Sequence, residues 1–491
     1  MPIFSLPNEY GIGSFGKESY EFIDFLKKSG QKIWQILPLV QTGYGNSPYS
    51  SVCSYSFNPY YISVDNLIKR GLVTENEARF AVCEKSGYID YGNLYSVRFP
   101  LLRKAFSRFD RSEKGFKEFL KDKDFFDYAM YMALKFASGQ KHFYEWSDEY
   151  KFRDESALKK FYNDYKEEVL FWQFVQYTAK TDWLALKKYA NENEISIMGD
   201  IPIYVALDSV DVWKNPELFK LDENLMPKKV AGVPPDYFCE DGQLWGNPVY
   251  DYDKHGLSGY TWWIERLKKS LNNFDYVRID HFRAFDRYYE IDSDRSDAKV
   301  GEWIDVPSKE FFTALHQNID KDRIIAEDLG IIDDGVRELL QWVGYPGMKV
   351  LSFAFNGEEN NLYLPQNINE NSVCYTGTHD NDTLLGLINS SSEWDKNNLI
   401  NGVKNSISLF NLDFSMDSDD SLSEAIIELG FKSKANLIIL PFADVIKKGT
   451  EYRINEPGKV KDQNWAIRFS EEEFKEETAN YLKNLTKKYM R

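Results

Sequence analysis

Phe274-Asp275-Tyr276-Val277-Arg278-Ile279-Asp280-His281-Phe282-Arg283 is a short apolar run that ends in a charged cluster. In an extended chain successive side chains face opposite ways, so Arg278 and Asp280 share one side and Val277 and Ile279 the other. The pattern predicts a strand over 274–279 whose C-terminal end presents a carboxylate. Similar apolar, β-branched runs occur at 2–6, 32–37, 195–203, 323–326, 348–353, 372–375 and 436–440, which makes eight. Amphipathic helices lie between them; the first is expected over 17–29, with Phe22, Ile23 and Leu26 on one face and Gly30 as its stop. Strands that are apolar on both faces and alternate with helices predict a parallel sheet covered on both sides. Eight of them predict an α/β fold, a closed (β/α)8 TIM barrel.

The runs are unevenly spaced. About 155 residues separate the second from the third and about 70 the third from the fourth, where a plain βα repeat needs about 30. One catalytic barrel over 1–491 is therefore expected to carry two insertions. Residues 58–168, rich in Lys, Glu, Phe and Tyr at helical spacing, predict a mostly helical insertion between strands 2 and 3. Residues 204–260, rich in Pro, Gly, Asp and Trp, predict a long ordered loop between strands 3 and 4. Both leave from C-terminal strand ends, where a barrel builds its active site, so helical and loop insertions are expected over the C-terminal face. A dipole-matched amphipathic helix is expected over 471–491.

The 491 residues are 43% hydrophobic and 28% charged, which fits a globular protein and excludes disorder or a collagen-like repeat. Aromatic residues reach 16%, enough for an aromatic core and for a cleft lined to receive flat or ring-shaped ligands. The net charge of −17 opposes nucleic acid and anionic lipid as partners. Cys53, Cys83, Cys239 and Cys374 show neither CxxC nor metal-ligand spacing, so no metal site and no disulfide framework is expected. The first ten residues hold no basic residue and no long apolar run, and no later stretch is long enough to span a bilayer. A cytoplasmic location is the expectation.

Gly11-Ile12-Gly13-Ser14-Phe15-Gly16 matches GxGxxG. A dinucleotide turn needs its glycines directly after the strand, but Pro7-Asn8-Glu9-Tyr10 intervenes. No acidic residue closes the following run to take a ribose hydroxyl. The segment is expected to be a glycine-rich turn into a helix, and no cofactor is expected.

Chemistry concentrates at three strand ends: Arg278-Ile279-Asp280-His281, Ile325-Ala326-Glu327-Asp328 and Tyr375-Thr376-Gly377-Thr378-His379-Asp380. Arg278 beside Asp280 favours an ionised carboxylate, as a nucleophile requires. The apolar run before Glu327 favours a retained proton, as a general acid requires. Asp380 is a third carboxylate at the same mouth. A pair of carboxylates in opposite protonation states is the machinery of glycosidic bond cleavage. Each segment alone also fits a helix cap, and three carboxylates with two histidines also fit a cation site, although strand ends do not make a compact ligand loop.

On these segments the chain resembles the amylomaltase family, the 4-alpha-glucanotransferases, relatives of the alpha-amylase enzymes. The resemblance runs over nearly the whole chain. It includes Ser47-Pro48-Tyr49 with Asn58-Pro59, Gly199-Asp200-Ile201-Pro202, Ala231-Gly232-Val233-Pro234-Pro235-Asp236-Tyr237-Phe238, Gln243-Leu244-Trp245-Gly246-Asn247-Pro248, Gly344-Tyr345-Pro346-Gly347, and Asn455, Pro457 and Gly458 with Asn464-Trp465. The loop 233–248 is its most specific part. The resemblance implies Asp280 as nucleophile, Glu327 as general acid and base, and Asp380 as the carboxylate that holds sugar hydroxyls. It implies that Arg278, His281 and His379 position the donor sugar with support from Asp200. Tyr44, Tyr49 and Trp245 would contact the glucan, with Tyr237 and Phe238 in the same loops over the mouth. The chain departs from the family pattern at Ser56-Phe57, at 306–309 and in Cys239-Glu240-Asp241, positions that bear on acceptor subsites.

The implied activity is transfer of segments of alpha-1,4-glucans to the 4-hydroxyl of an acceptor glucan or glucose, with retention through a covalent intermediate. Two other readings keep part of the pattern. An alpha-glucan hydrolase uses the same carboxylates with water as acceptor, and a non-catalytic glucan-binding protein keeps the aromatics without needing all three carboxylates.

Overall fold

The computed structural model describes residues 1–235 and 240–491, with the backbone only at Tyr44. Among the described residues seven parallel strands form a barrel: β1 (Ile33–Gln35), β2 (Ser196–Ile201), β3 (Tyr276–Ile279), β4 (Ile324–Ala326), β5 (Gly347–Val350), β6 (Ser372–Tyr375) and β7 (Leu437–Ile439). They pair in chain order as two arcs, β1 to β4 and β5 to β7. The Ala326 N–H donates to the Pro346 carbonyl at 3.0 Å where the arcs meet.

The remaining run, 2–6, is not a strand. Pro2 is extended, but Ile3–Ser5 is a 3-10 turn in which the Leu6 N–H reaches back to the Ile3 carbonyl. Ile3, Phe4 and Leu6 are all buried. A wholly buried apolar run has no period by which to tell strand from tight helix, which is why sequence alone misassigns it. The segment still serves the barrel. The Met1 amino group donates to the Gln35 carbonyl at 3.3 Å, and Trp34 Nε1 donates to the Met1 carbonyl at 2.7 Å. Met1 and Pro2 thereby line, with Gln35 of β1 and Ile439 of β7, the open space between those two strands.

Helix Lys17–Lys28 forms as its pattern predicts: Phe22, Ile23, Phe25 and Leu26 are buried, Glu18 lies in the first turn, and Lys27 and Lys28 in the last complement the dipole. Its ring Phe22 meets Trp34 of β1 edge to face at 5.0 Å. Between β1 and β2 the chain is largely helical, with Tyr91–Arg108 and Lys123–Ala137 packed on the 27-residue helix Lys166–Glu192 that leads back to the barrel. Gln176 of that helix donates to and accepts from the Phe57 backbone, both at 2.8 Å, inside the core. A buried amide satisfied in this way fixes the register of helix against loop.

Residues 204–260, expected as loop, contain two strands. Gln243–Pro248 and Lys229–Val233 join Arg287–Asp292 and Glu302–Asp305 in a four-stranded antiparallel sheet, in that order. The pairing of Val230 with Ile291 and Gly232 with Tyr289 spans some sixty residues, so no local period announces it. Gly232 is required here, because a Cβ would lie 2.3 Å from the Gln243 carbonyl oxygen.

The GxGxxG segment is filled from within. The Ser14 N–H and hydroxyl and the Asn8 amide all donate to one oxygen of the buried Glu18 carboxylate, at 2.6, 2.7 and 2.7 Å. A carboxylate of the following helix occupies the place that a phosphate takes in a nucleotide loop. At the carboxyl end, helix Glu476–Tyr489 buries Ala479, Leu482 and Leu485. No described helix is long and apolar enough to cross a membrane.

Candidate active site

Asp280 directly follows β3 and Glu327 directly follows β4, so both project from C-terminal strand ends. Parallel register sets Asp200 of β2 opposite Arg278 of β3. The guanidinium, 3% exposed, donates to both oxygens of the buried Asp200 at 3.0 and 2.8 Å and, along the same face of its strand, to Asp280 at 3.0 Å. Tyr49 completes the group: its hydroxyl donates to Asp200 and accepts from Arg278 at 3.2 Å.

Asp280 is harder to ionise than the neighbouring Arg278 alone suggests. Its tip is open to the cleft, yet burial pushes the carboxyl well above the usual range. Arg278 pulls it down, while Glu327, Asp200 and Asp380 push it up. Arg278 cannot cancel burial because its fork is engaged by Asp200, leaving a single contact for Asp280.

Glu327 is clipped to the turn that follows Asp280. Its carboxylate accepts the His281 N–H at 2.6 Å and the Leu329 N–H at 2.9 Å, and its own N–H donates to the Ile279 carbonyl at 2.9 Å. His281 adopts φ of +47°, a left-handed conformation that costs a non-glycine residue about 1–2 kcal/mol, and this aims its N–H at Glu327. Burial raises the Glu327 carboxyl to about 7, against Arg278 and the two amides, in the direction its apolar flank suggested. Asp328 turns away to accept the Met348 N–H at 2.5 Å, above Gly347, where a Cβ would meet its carboxyl at 2.6 Å.

Asp380 lies five residues beyond β6. Asn455 donates to its Oδ1 at 2.6 Å, and Arg453 donates to its backbone carbonyl at 2.6 Å. His379 Nε2 lies 3.3 Å from Asp380 Oδ2. The His379 ring stacks on Tyr49 at 5.1 Å and 14°, and both lean on Trp465 at 5.6 and 5.7 Å. Burial lowers the His379 and His281 rings, His281 to about 4, so both are neutral donor–acceptors at pH 7. Trp245, 37% exposed, sets its ring edge-on to His281 at 5.0 Å.

Nine of the ten expected site residues thus connect through direct contacts or shared charge: Asp200, Arg278, Asp280, Glu327, Asp380, His281, His379, Tyr49 and Trp245. Tyr44 begins the 3-10 turn Tyr44–Asn46, and its side chain lies outside the described part of the structure. Tyr237, Phe238 and Cys239 also lie outside the described residues. Among the described residues no cluster of His, Cys, Asp or Glu is arranged to hold a metal ion. Arg453, Asn455 and Trp465 were not named as site residues from sequence. They come from a segment with no strand-end signal, and only the family-like positions Asn455 and Trp465 pointed to it.

The sequence profile of the family described as 4-alpha-glucanotransferase matches residues 1–473. A 4-alpha-glucanotransferase of Clostridium butyricum is 40% identical over 499 residues, covering 100% of both chains. One of Thermus thermophilus is 40% identical over 94% of this chain and 92% of its own. Among solved structures, the amylomaltase from Streptococcus agalactiae in complex with acarbose superposes with a TM-score of 0.93 at 36% identity, covering 100% of this chain and 98% of that one. The amylomaltase from Corynebacterium glutamicum shares the fold, with a TM-score of 0.80 at 18% identity over 100% of this chain and 74% of that one.

Proposed function

Because the chain belongs to the 4-alpha-glucanotransferase family, a disproportionating glycosyl-transfer activity on alpha-1,4-glucans and maltooligosaccharides is its function, and we propose the following roles for its residues. Asp280 is the nucleophile that attacks the anomeric carbon, and Glu327 gives its proton to the departing 4-oxygen. The freed sugar leaves, an acceptor glucan or glucose enters, and Glu327 takes the proton of its 4-hydroxyl as the glycosyl group transfers with net retention. Asp380, fixed by Asn455, holds sugar hydroxyls. Tyr49, His379 and Trp465 form one wall for the donor ring, and Trp245 with His281 the other.

One observation carries the assignment of acid and nucleophile. Asp280 touches a guanidinium, whereas among the described residues the Glu327 carboxylate is held by the backbone amides of His281 and Leu329. The two carboxyls share one proton near neutral pH, and it rests on Glu327, where protonation weakens two amide bonds but breaks no ion pair, whereas on Asp280 it would break the contact with Arg278.

The helical segment 58–168 and the segment 204–260 are proposed to roof the barrel mouth and to exclude water, which favours a sugar acceptor over hydrolysis. The described cysteines Cys53, Cys83 and Cys374 are free, in support of a cytoplasmic location. Incubation with maltotriose tests the proposal. Longer maltooligosaccharides appearing together with glucose are the expected result; maltose and glucose alone would mark a hydrolase, and unchanged substrate would refute both.

A further inference from the structure

The loop that carries His379 and Asp380 is held at its neck by one buried carboxylate. Asp444 is 1% exposed and lies on the short helix Phe442–Val445 that follows β7. Its Oδ2 accepts from the Thr376 hydroxyl at 2.6 Å, and its Oδ1 accepts from the Leu384 backbone N–H at 2.8 Å. Thr376 is the first residue past β6, and Leu384 opens the helix Leu384–Ser390. Both ends of the loop 377–383 are therefore tied to a single side chain carried by a different strand. The neck residues Thr376 and Leu384 are buried, whereas the loop between them borders an open cleft lined by Thr378, His379, Asn381, Leu440 and Asp444. Burying a carboxylate is costly unless its oxygens are used, and here each oxygen ties one end of the loop.

We infer that Asp444 is a positioning residue of the transfer reaction: by closing the neck of the 377–383 loop it fixes where Asp380 meets the donor sugar. The inference rests on the role proposed above for Asp380. Asp444 itself touches no substrate. It acts through Thr376 and Leu384, and its influence is confined to one loop because neither contact reaches β3 or β4.

The test uses the full chain in a Glu327→Gln background, in which donor binding is read without turnover, and titrates maltotriose by calorimetry. Asp444→Ala is expected to weaken binding at least about tenfold, a fraction of what its two lost hydrogen bonds to a charged group are worth, at unchanged stoichiometry. Asp444→Asn is expected to stay within about twofold, because its amide can donate to Thr376 Oγ1 while its carbonyl accepts from Leu384. In the Asp380→Ala, Glu327→Gln chain, adding Asp444→Ala is expected to weaken binding by less than about twofold, the part that passes through His379 on the same loop. Should Asp444→Ala fail to fold, Thr376→Val removes only one tether and is expected to weaken binding about threefold.

Unchanged affinity in Asp444→Ala, or an equal loss added on top of Asp380→Ala, overturns the inference. The two readings fail differently. If Asp380→Ala alone binds maltotriose as its parent does, the role of Asp380 is wrong and the inference falls with it. If Asp380→Ala weakens binding and neither Asp444→Ala nor Thr376→Val does, only the positioning role is lost.

Discussion

The backbone N–H of His281 donates to Glu327 Oε2 at 2.6 Å, so the residue that follows one carboxylate of the pair holds the other. Burial disfavours the charged form and raises the Glu327 carboxyl to about 7, and this is the proton it is proposed to give the leaving group. Catalysis needs that proton in place, so kcat/KM is expected to fall about tenfold per pH unit above about pH 7. Glu327→Gln is expected to lose about 10²–10⁴ of kcat and the alkaline limb with it. A rate profile from pH 5 to 9 measures both, and activity that holds level to pH 9 contradicts the assignment.

Asp280→Asn is expected to abolish turnover of maltotriose while leaving the circular dichroism spectrum and thermal midpoint near those of the parent. The amide keeps the shape and can still accept from Arg278, so the fold has little reason to change. Substantial residual turnover would move the nucleophile elsewhere.

Asp200 and Arg278 form a buried, two-pronged ion pair, 0% and 3% exposed at their side chains. Asp200→Ala strands a buried guanidinium with one remaining carboxylate contact, and breaking such a pair costs about 3–5 kcal/mol. Denaturant unfolding is expected to show that loss. A change below about 1 kcal/mol would mean that the pair is relieved by other groups.

Trp245 is partly exposed, and among the described residues its Nε1 donates to the Gln243 side chain, at 3.2 Å. Trp245→Ala is therefore expected to change stability by less than about 1 kcal/mol. The KM for maltotriose is expected to rise about fivefold, the worth of one lost ring contact. Equal KM values would remove Trp245 from the glucan wall.

Glu18 gives a pH effect far from the site. Burial raises its carboxyl from the ordinary 4.5 to about 7. The folded state therefore holds the proton more tightly than the unfolded chain, so this stabilisation is complete below about pH 4.5 and is lost as pH rises through about 7. Glu18→Gln keeps an acceptor for Asn8 and Ser14 and cannot ionise. It is expected to be more stable than the parent at pH 8 by up to about 3 kcal/mol, with the difference shrinking toward pH 5. Thermal midpoints at the two pH values decide it.

The legible part of the fold is the part with local physics. Seven of the eight apolar runs are strands because burial on both faces writes a continuous hydrophobic signal, and Asp280, Glu327 and Asp380 were visible because they follow such runs. The 2–6 run was misread because complete burial erases period. The sheet through Lys229–Val233 and Arg287–Asp292 was missed because its partners are remote and one of its contacts is a glycine. Asn455, Arg453 and Trp465 reach the site by tertiary folding alone, and Asp444 shows its significance only through hydrogen bonds to residues 60 and 68 positions away.

The antiparallel sheet has a mechanical meaning. Its strand Arg287–Asp292 begins just after the 3-10 turn Phe282–Phe285 that leaves Asp280, and two pairings outward the same sheet carries Trp245 at its edge. Asp280, the proposed nucleophile, and this ring are thus joined through one turn and one continuous sheet. Across the groove, Tyr49 is tied to the same Arg278 that holds Asp280, whereas the 377–383 loop hangs from Asp444, so a long glucan chain is gripped between two independently anchored parts.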